Sequence, residues 1–316
     1  MSIFRSIERI ERVQGKVEIE SGYIAIDIGR HVNDDTGGVA QNQAASAENT
    51  SHAVVVVVPC FNEERRLDTA LFIAFAARFP RLRFLFVDDG SMDGTLAKLQ
   101  SMCHENSDVF SVLALPRNQG KAEAVRQGLL HALQFEPAYV AFWDADLATP
   151  LEELRALLCV AESHLEARMV VGSRVRLLGR SIERSMVRHY VGRVFATAAS
   201  LILRLPLYDT QCGAKLLRVT PELPALLSRP FLSRWLFDVE LFARMIEQAS
   251  QDHADIQTRI IEYPLQTWRE QGKTKLHLLD ISRIPWDLLR IGFAMRRQRF
   301  SARCRDHVAE PVTKNL

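Results

Sequence analysis

Five consecutive valines, Val54–Val58, set between Ala53 and Pro59, constrain this chain more than any other feature. β-branched residues favour extended backbone, and a run without polar alternation cannot turn one face to water. Such a strand needs cover on both sides, the situation of a parallel sheet between two helical layers. The stretch is far shorter than the roughly 18 apolar residues that cross a bilayer, and no apolar run elsewhere approaches that length.

Strand and helix patterns alternate downstream. Arg83–Val87, 109–115, Tyr139–Trp143 and Met169–Gly172 read as further strands. Asn62 is a candidate cap for the first helix, with Glu63 and Glu64 in its first turn. A second helix is expected after Asp93, and a third from Gly120-Lys121 to His131. Thr149, Pro150 and Glu152 have the spacing of a capping box, which predicts a helix from 150 to about 167. The result is an α/β fold, a mostly parallel sheet with helices on both faces.

The expected organisation is an appendage at 1–28, a flexible linker at 29–52, a folded domain at 53–276 and a basic amphipathic tail at 277–316. Gly37-Gly38 and the Gln, Asn, Ala and Ser residues around them cannot bury enough apolar area to order the linker. Charged residues Arg5, Glu8, Arg9, Glu11 and Arg12 interrupt any secretory segment near the N-terminus, so a cytoplasmic protein is expected. The five cysteines have no zinc spacing and read as reduced, mostly buried thiols. With 40 basic against 38 acidic residues the net charge is +2, too little for a general attraction to nucleic acid.

In a sheet of this kind ligands bind beyond the carboxyl ends of the strands. Three polar clusters fall there: Asp88-Asp89, Arg117-Asn118, and Asp144-Ala145-Asp146. Carboxylates at i and i+2 can hold a hard divalent cation, Mg²⁺ or Mn²⁺, and leave positions open for phosphate oxygens; a solvated acidic loop is the alternative. Neither a Gly-x-Gly-x-x-Gly turn nor a P-loop follows the first strand. A nucleotide would then be held by Asn62, Glu63 and Asp89, with metal rather than a glycine loop against its diphosphate.

Val58-Pro59-Cys60-Phe61-Asn62-Glu63, Asp88-Asp89-Gly90-Ser91-Met92-Asp93-Gly94-Thr95, Arg117-Asn118-Gln119-Gly120-Lys121 and Asp144-Ala145-Asp146 occur in order. In this the chain resembles the family 2 glycosyltransferases of GT-A (Rossmann-like) fold. Gly172-Ser173-Arg174, Arg188-His189 through Phe195, Asp209-Thr210-Gln211-Cys212-Gly213 with Lys215, and Phe237-Asp238-Val239-Glu240 resemble the polyprenyl-phosphate sugar synthases, above all the dolichyl-phosphate β-glucosyltransferase branch. The resemblance covers about residues 53–276. It implies inverting transfer of a glucose-like hexose from a nucleotide diphosphate sugar to a polyprenyl phosphate. Pro59, Phe61, Asn62, Glu63, Asp88, Asp89, Lys121 and Asp144 would bind the donor, and Asp144 and Asp146 the metal. Asp146, Asp238 and Lys121 would be catalytic. Arg174, Arg184, Arg188, Arg193, Gln211, Lys215, Trp268 and Lys275 would serve the acceptor and its phosphate.

Chemistry bears on Asp238. A phosphate acceptor is already an anion and needs no general base, whereas a hydroxyl acceptor does. The hydroxyl-acceptor reading stays open, as does a non-catalytic nucleotide-sugar or lipid-binding protein. Two departures from the family pattern feed the latter: Glu123 sits one turn from the diphosphate site, and Leu147-Ala148 offers no polar third ligand. Six arginines between Arg174 and Arg193 form either a solvated basic face or a phosphate clamp. The tail, with Trp286 and Arg296-Arg297, suits either an interfacial helix or one packed on the domain or a second subunit. A lipid acceptor favours peripheral contact at the cytoplasmic face of a membrane.

Overall fold

The structure is a computed structural model and describes residues 53–252, 254–271 and 283–297. Its elements follow in chain order. The first half holds β1 (Val54–Cys60), α1 (Thr69–Ala76), β2 (Leu82–Asp88), α2 (Thr95–Glu105), β3 (Phe110–Ala114), α3 (Lys121–Ala132), β4 (Tyr139–Trp143), α4 (Glu153–Ser163) and β5 (Met169–Ser173). The second holds β6 (Ser181–Glu183), α5 (Met186–Leu203), β7 (Ala214–Arg218), α6 (Leu223–Leu227), α7 (Phe237–Gln251), α8 (Ile256–Arg259), β8 (Ile260–Pro264) and β9 (Thr267–Arg269). A last helix, α9, spans 283–297.

Seven strands form one sheet in the order β3-β2-β1-β4-β7-β5-β8, and β6 pairs with β9 separately. β1 runs parallel to β2 and β4, β2 to β3, and β5 to β8. Only β7 is antiparallel to its neighbours. The five valines are buried on both faces, as their pattern requires. Val55 and Val57 join Leu85, Val87, Phe142 and the apolar sides of α3 and α7. Val54, Val56 and Val58 join Phe72, Phe84, Phe86 and Leu154 on the other face.

The chain moves outward from β1 to β3 and then crosses back to β4, so the switch point lies between β1 and β4, where ligands seat in such sheets. Because β7 is reversed, its leading residues Asp209–Gly213 reach the same rim as the trailing ends of β1, β2, β4 and β5.

Several local expectations are corrected. α1 begins at Thr69, capped by Asp68, whose carboxylate accepts from the amides of Ala70 and Leu71. Asn62 instead adopts a left-handed φ of 51°. Its side chain accepts from the amide of Met92, tying the first loop to the second. α4 starts at Glu153 and ends at Ser163 with no side-chain cap. Residues 150–154 form tighter turns, in which Glu153 and Leu154 donate to the carbonyls of Pro150 and Leu151, and the Thr149 carbonyl accepts from Trp143 Nε1. Cys60 and Cys212 are buried and Cys159 is exposed, all free thiols. The expected appendage 1–28, the linker 29–52 and Lys275 lie outside the described residues.

α3 is seated closely because Gly128 faces the sheet. A Cβ there would overlap Val57 and Val87. Gly128→Val should therefore lower stability by about 1–3 kcal/mol through overpacking, read as a lower urea midpoint with unchanged m value. An unchanged midpoint would show that α3 is not held by this contact.

Candidate active site

The acid cluster grows directly out of β4. Asp144 follows the last strand residue, and its amide donates to the carbonyl of Gly213 at 3.0 Å. A Cβ at Gly213 would overlap the Asp144 carboxylate, so only glycine lets β7 approach it. Leu147 turns the chain with a φ of 51°, and Asp146 Oδ1 accepts from the amide of Ala148 at 3.1 Å. Burial, then the neighbouring Asp144, raises the Asp146 carboxyl above its ordinary value.

Lys121, the first residue of α3, reaches this cluster. Its Nζ donates to Asp144 Oδ1 at 2.5 Å, with about 30% of either side chain exposed. Burial would lower the Lys121 ammonium, but Asp144, Asp238 and Asp146 together hold it above its usual value. Asp238, on the first turn of α7, is buried and raised by that burial, opposed chiefly by Lys215. Lys215 Nζ donates to Asp238 Oδ1 at 2.5 Å and to the Cys212 carbonyl at 2.7 Å. Lys215, expected at the acceptor phosphate, is 0% exposed and sits within the protein beside Phe142. β7 alternation points it inward, where Asp238 satisfies its charge.

Asp89 fixes the loop that delivers Lys121. Its two carboxylate oxygens accept from the amides of Gln119 and Gly120 at 2.7 and 2.8 Å, and burial leads the effects that raise it. Asp88 accepts from the amide of Ser91, while its Oδ1 is buried without a hydrogen-bond partner. Glu63 is mostly buried and takes a two-pronged bond from Arg66, at 2.8 and 2.7 Å. Among the expected donor contacts, then, Asn62 and Asp89 brace neighbouring loops and Glu63 its own, at the rim that Pro59 and Phe61 also occupy. Glu123 is ion-paired with Arg126 and accepts a hydrogen bond from Gln127 on its own helix, so it does not present a free charge to the rim.

The arginine segment is tied down by residues far away in sequence. Arg174 bonds both oxygens of Asp209, at 2.6 and 2.8 Å, and lies over the Trp268 ring. Opposed by burial, Asp209 nonetheless holds the Arg174 guanidinium above its usual value, and Arg174 holds the Asp209 carboxyl well below the carboxylate range. Arg188 pairs with Glu270, and Arg193 donates to the Tyr208 carbonyl while covering its ring. Arg184 packs on Gly192, where burial and then Arg174 lower its guanidinium. Gln211 leaves Nε2 buried without a partner. β6 pairs Ile182 with Trp268 of β9, and the backbone amide of Arg269 in β9 donates to the Ala148 carbonyl beside the acid loop. The arginines and Trp268 thus form a cover joined to the Asp144–Asp146 loop rather than a set of free clamps.

Arg234 escaped sequence reading. Its guanidinium donates to Asn118 and lies against Gly120, and its carbonyl accepts from the amide of Ala122. No periodicity marks it, because its partners lie more than 100 residues earlier. Asp209 and Glu270 were likewise invisible as partners for the arginines.

The donor set suits a hard divalent ion. Two carboxylates side by side offer oxygen ligands and leave other positions for diphosphate oxygens and water, the usual arrangement for Mg²⁺ or Mn²⁺. Among the described residues no third His, Cys, Asp or Glu joins them.

The Arg174–Asp209 pair yields a test of stability. A carboxyl held low in the fold stabilises fully above its unfolded-state value near 4, and that stabilisation is lost as pH falls through the folded value. Asp209→Asn strands a buried guanidinium and should cost about 3–5 kcal/mol at pH 7. The gap to wild type in urea midpoints should narrow between pH 5 and pH 3; a constant gap would contradict the assignment.

The chain is 29% identical over 300 residues to the dolichyl-phosphate β-glucosyltransferase of Saccharomyces cerevisiae, covering 87% of this chain and 84% of that protein. It is 33% identical over 256 residues to the Mus musculus enzyme of the same name, with 71% and 74% covered. The dodecaprenyl-phosphate galacturonate synthase of Rhizobium johnstonii is 26% identical, with 76% and 67% covered. A similar fold occurs in glucosyl-3-phosphoglycerate synthase from Mycobacterium tuberculosis, solved with Mn²⁺ and UDP-glucose, at a TM-score of 0.53 and 17% identity over 78% of this chain and 79% of that one. Residues 55–221, which carry β1 to β7 and the acid loop, match Glycosyl transferase family 2, and the chain belongs to that family.

Proposed function

We propose that this glycosyltransferase moves a hexose, glucose-like, from a nucleoside diphosphate sugar to the phosphate of a polyprenol. The observation that carries the reading is the meeting of Asp144, Asp146 and Lys121 at the switch point of the sheet. The acceptor class is supported by the dolichyl- and dodecaprenyl-phosphate relatives. Asp144 and Asp146 would hold Mg²⁺ or Mn²⁺, which when bound supplies positive charge to the diphosphate. A lipid acceptor puts the reaction at a membrane surface, which we place on the cytoplasmic face.

The residues divide the work by charge. An oxygen of the acceptor phosphate bonds to the anomeric carbon as the bond from that carbon to the nucleoside diphosphate breaks, with inversion. The departing diphosphate gains negative charge, and the Lys121 ammonium, kept protonated by three acids, lies where it can face it. The attacking phosphate is already ionised, so no proton has to be removed. Asp238 fits this, because its carboxylate is buried against Lys215 and is not presented to an acceptor. Its role is to hold Lys215 and contribute field at Lys121. Asp89 positions Lys121 by fixing the two amides that precede it.

The direct test is labelled UDP-glucose or GDP-mannose with a polyprenyl phosphate, counting sugar in the organic phase. Transfer should occur with one donor, cease with EDTA and return with Mg²⁺ or Mn²⁺. Asp146→Asn should lose at least about 10²-fold in kcat, the scale of a lost charge-stabilising group, at an unchanged urea midpoint. No organic-phase sugar with either donor would overturn the proposal.

The absence of a required base predicts the pH profile. kcat should rise with the acceptor's own second ionisation, near pH 6 for a phosphate monoester, and stay level to pH 8.5. A limb that moves in the Asp238→Asn protein would instead make Asp238 a base and favour a hydroxyl acceptor.

A further inference from the structure

The turn leading into α7, residues 230–236, is tied to three helices, and the transfer chemistry leaves it without a task. α7 holds it from its own side: the amide of Leu232 donates to Glu240, and Arg244 donates to the carbonyl of Pro230. α3 holds it from the site. That helix starts with no side-chain cap, and the amide of Ala122, a donor that a helix start leaves unpaired, reaches the Arg234 carbonyl at 3.3 Å. The Arg234 side chain folds over the same loop. Its guanidinium donates to Asn118 Oδ1, and a Cβ on Gly120 would come within 2.5 Å of its Nε. Lys121, the next residue, therefore starts from a loop braced twice. Asp89 holds it through the amides of Gln119 and Gly120, and Arg234 through the Asn118 side chain and the bare face of Gly120.

Arg234 is exposed, and a long exposed side chain does not hold one position unaided. Its neighbour supplies the anchor. Ser233 is 2% exposed. Its Oγ accepts from the amides of Trp235 and Leu236, at 3.3 and 3.1 Å, and donates to Asp287 Oδ2 of α9 at 2.7 Å. A hydroxyl has one proton and two lone pairs, so all its places are taken and the turn has one orientation. Asp287 in turn has a fixed origin, because Leu288 beside it is packed into the core. One carboxylate on α9 thus sets the turn that joins the head of α3, with Lys121, to the head of α7, with Asp238. Those two charges act on each other.

We propose that Ser233 and Asp287 are positioning residues for transfer, holding Arg234 on the 118–120 loop so that Lys121 meets the departing diphosphate. An ammonium on a flexible four-carbon stem serves a diphosphate only where its helix head is fixed, and a misplacement of roughly 1 Å costs about 10²-fold in rate. A carboxylate that served only to hold α9 down would show its loss in stability alone. The inference rests on the reading of Lys121 as the cation for the donor diphosphate; it does not depend on which acceptor takes the sugar.

The test compares Arg234→Met, Ser233→Ala, Asp287→Ala and Asp287→Asn with wild type in the full chain, with Mn²⁺ present. It reads kcat and acceptor KM on a polyprenyl phosphate and, by calorimetry, the affinity for UDP or GDP. Arg234→Met, Ser233→Ala and Asp287→Ala should each lower kcat about tenfold and weaken the nucleotide about fivefold, part of the effect of losing a positioned charge, with acceptor KM unchanged. Asp287→Asn keeps an oxygen for the Ser233 hydroxyl and should stay within about threefold of wild type. Adding Asp287→Ala to Arg234→Met should lower kcat less than about twofold further, because both act through one contact. Arg234 lies at the surface, so Arg234→Met should fold whatever becomes of the buried variants, and unchanged kcat and affinity in it would overturn the inference. So would effects of Asp287→Ala and Arg234→Met that multiply in full, or a loss in Asp287→Asn equal to that in Asp287→Ala. If no acceptor is glycosylated while the nucleotide affinities change as stated, the polyprenyl-phosphate reading falls and the positioning role stands. A wild type that binds neither nucleotide removes the positioning role as well.

Discussion

Asp144, Lys121, Asp238 and Lys215 alternate in charge from the solvent-reached rim to the interior, and the site depends on that alternation. Lys121 and Asp144 are joined by an ion pair, as are Lys215 and Asp238, and the two pairs act on each other through space. Isolated, each buried charge would carry a large desolvation penalty. Together they keep the Lys121 ammonium protonated at the rim. Only the outer pair is open enough to exchange its partner for a ligand, because Lys215 is closed off entirely.

Sheet topology makes the alternation possible. Asp144 comes from the end of β4, Lys121 from the head of α3, Lys215 from β7 and Asp238 from α7. The reversed strand is decisive, since it brings Gly213 against Asp144 and sends Lys215 inward two residues later. Around this centre, Asp89 fixes the approach to α3 and the β6–β9 ribbon attaches the arginine cover to the acid loop. The same cover continues into α5 through Arg188 and Arg193.

Much of this was legible in the sequence wherever the signal was local. The valine run gave a doubly buried strand, and Tyr139–Trp143 is a strand with those limits. Lys121 opens its helix as expected, since glycine before it frees the backbone to turn at a φ of 95°. Local signals failed where two competed. Asn62 and Asp68 can both cap, and Asp68 prevails because Asn62 is drawn to Met92 in the neighbouring loop. Thr149 and Pro150 resemble a helix start, but the Thr149 carbonyl is taken by Trp143 and the chain turns more tightly first. Long-range pairing was hidden altogether: nothing near Arg174 names Asp209, and nothing near Arg188 names Glu270. Lys215 is expected at the acceptor phosphate only through the family resemblance, which carries no information on its burial. The C-terminal helix has one face packed into the core and another exposed.

The most direct measurement of the central claim is calorimetric titration of UDP-glucose and GDP-mannose, with and without Mn²⁺, into wild type, Lys121→Met and Asp146→Asn. Binding of one donor should depend on Mn²⁺ in the wild type and weaken at least about tenfold in each variant, the effect of about 1.4 kcal/mol, with urea midpoints showing that all three are folded. Equal affinities in the three proteins, or binding indifferent to Mn²⁺, would mean that the charges at the rim do not receive the diphosphate.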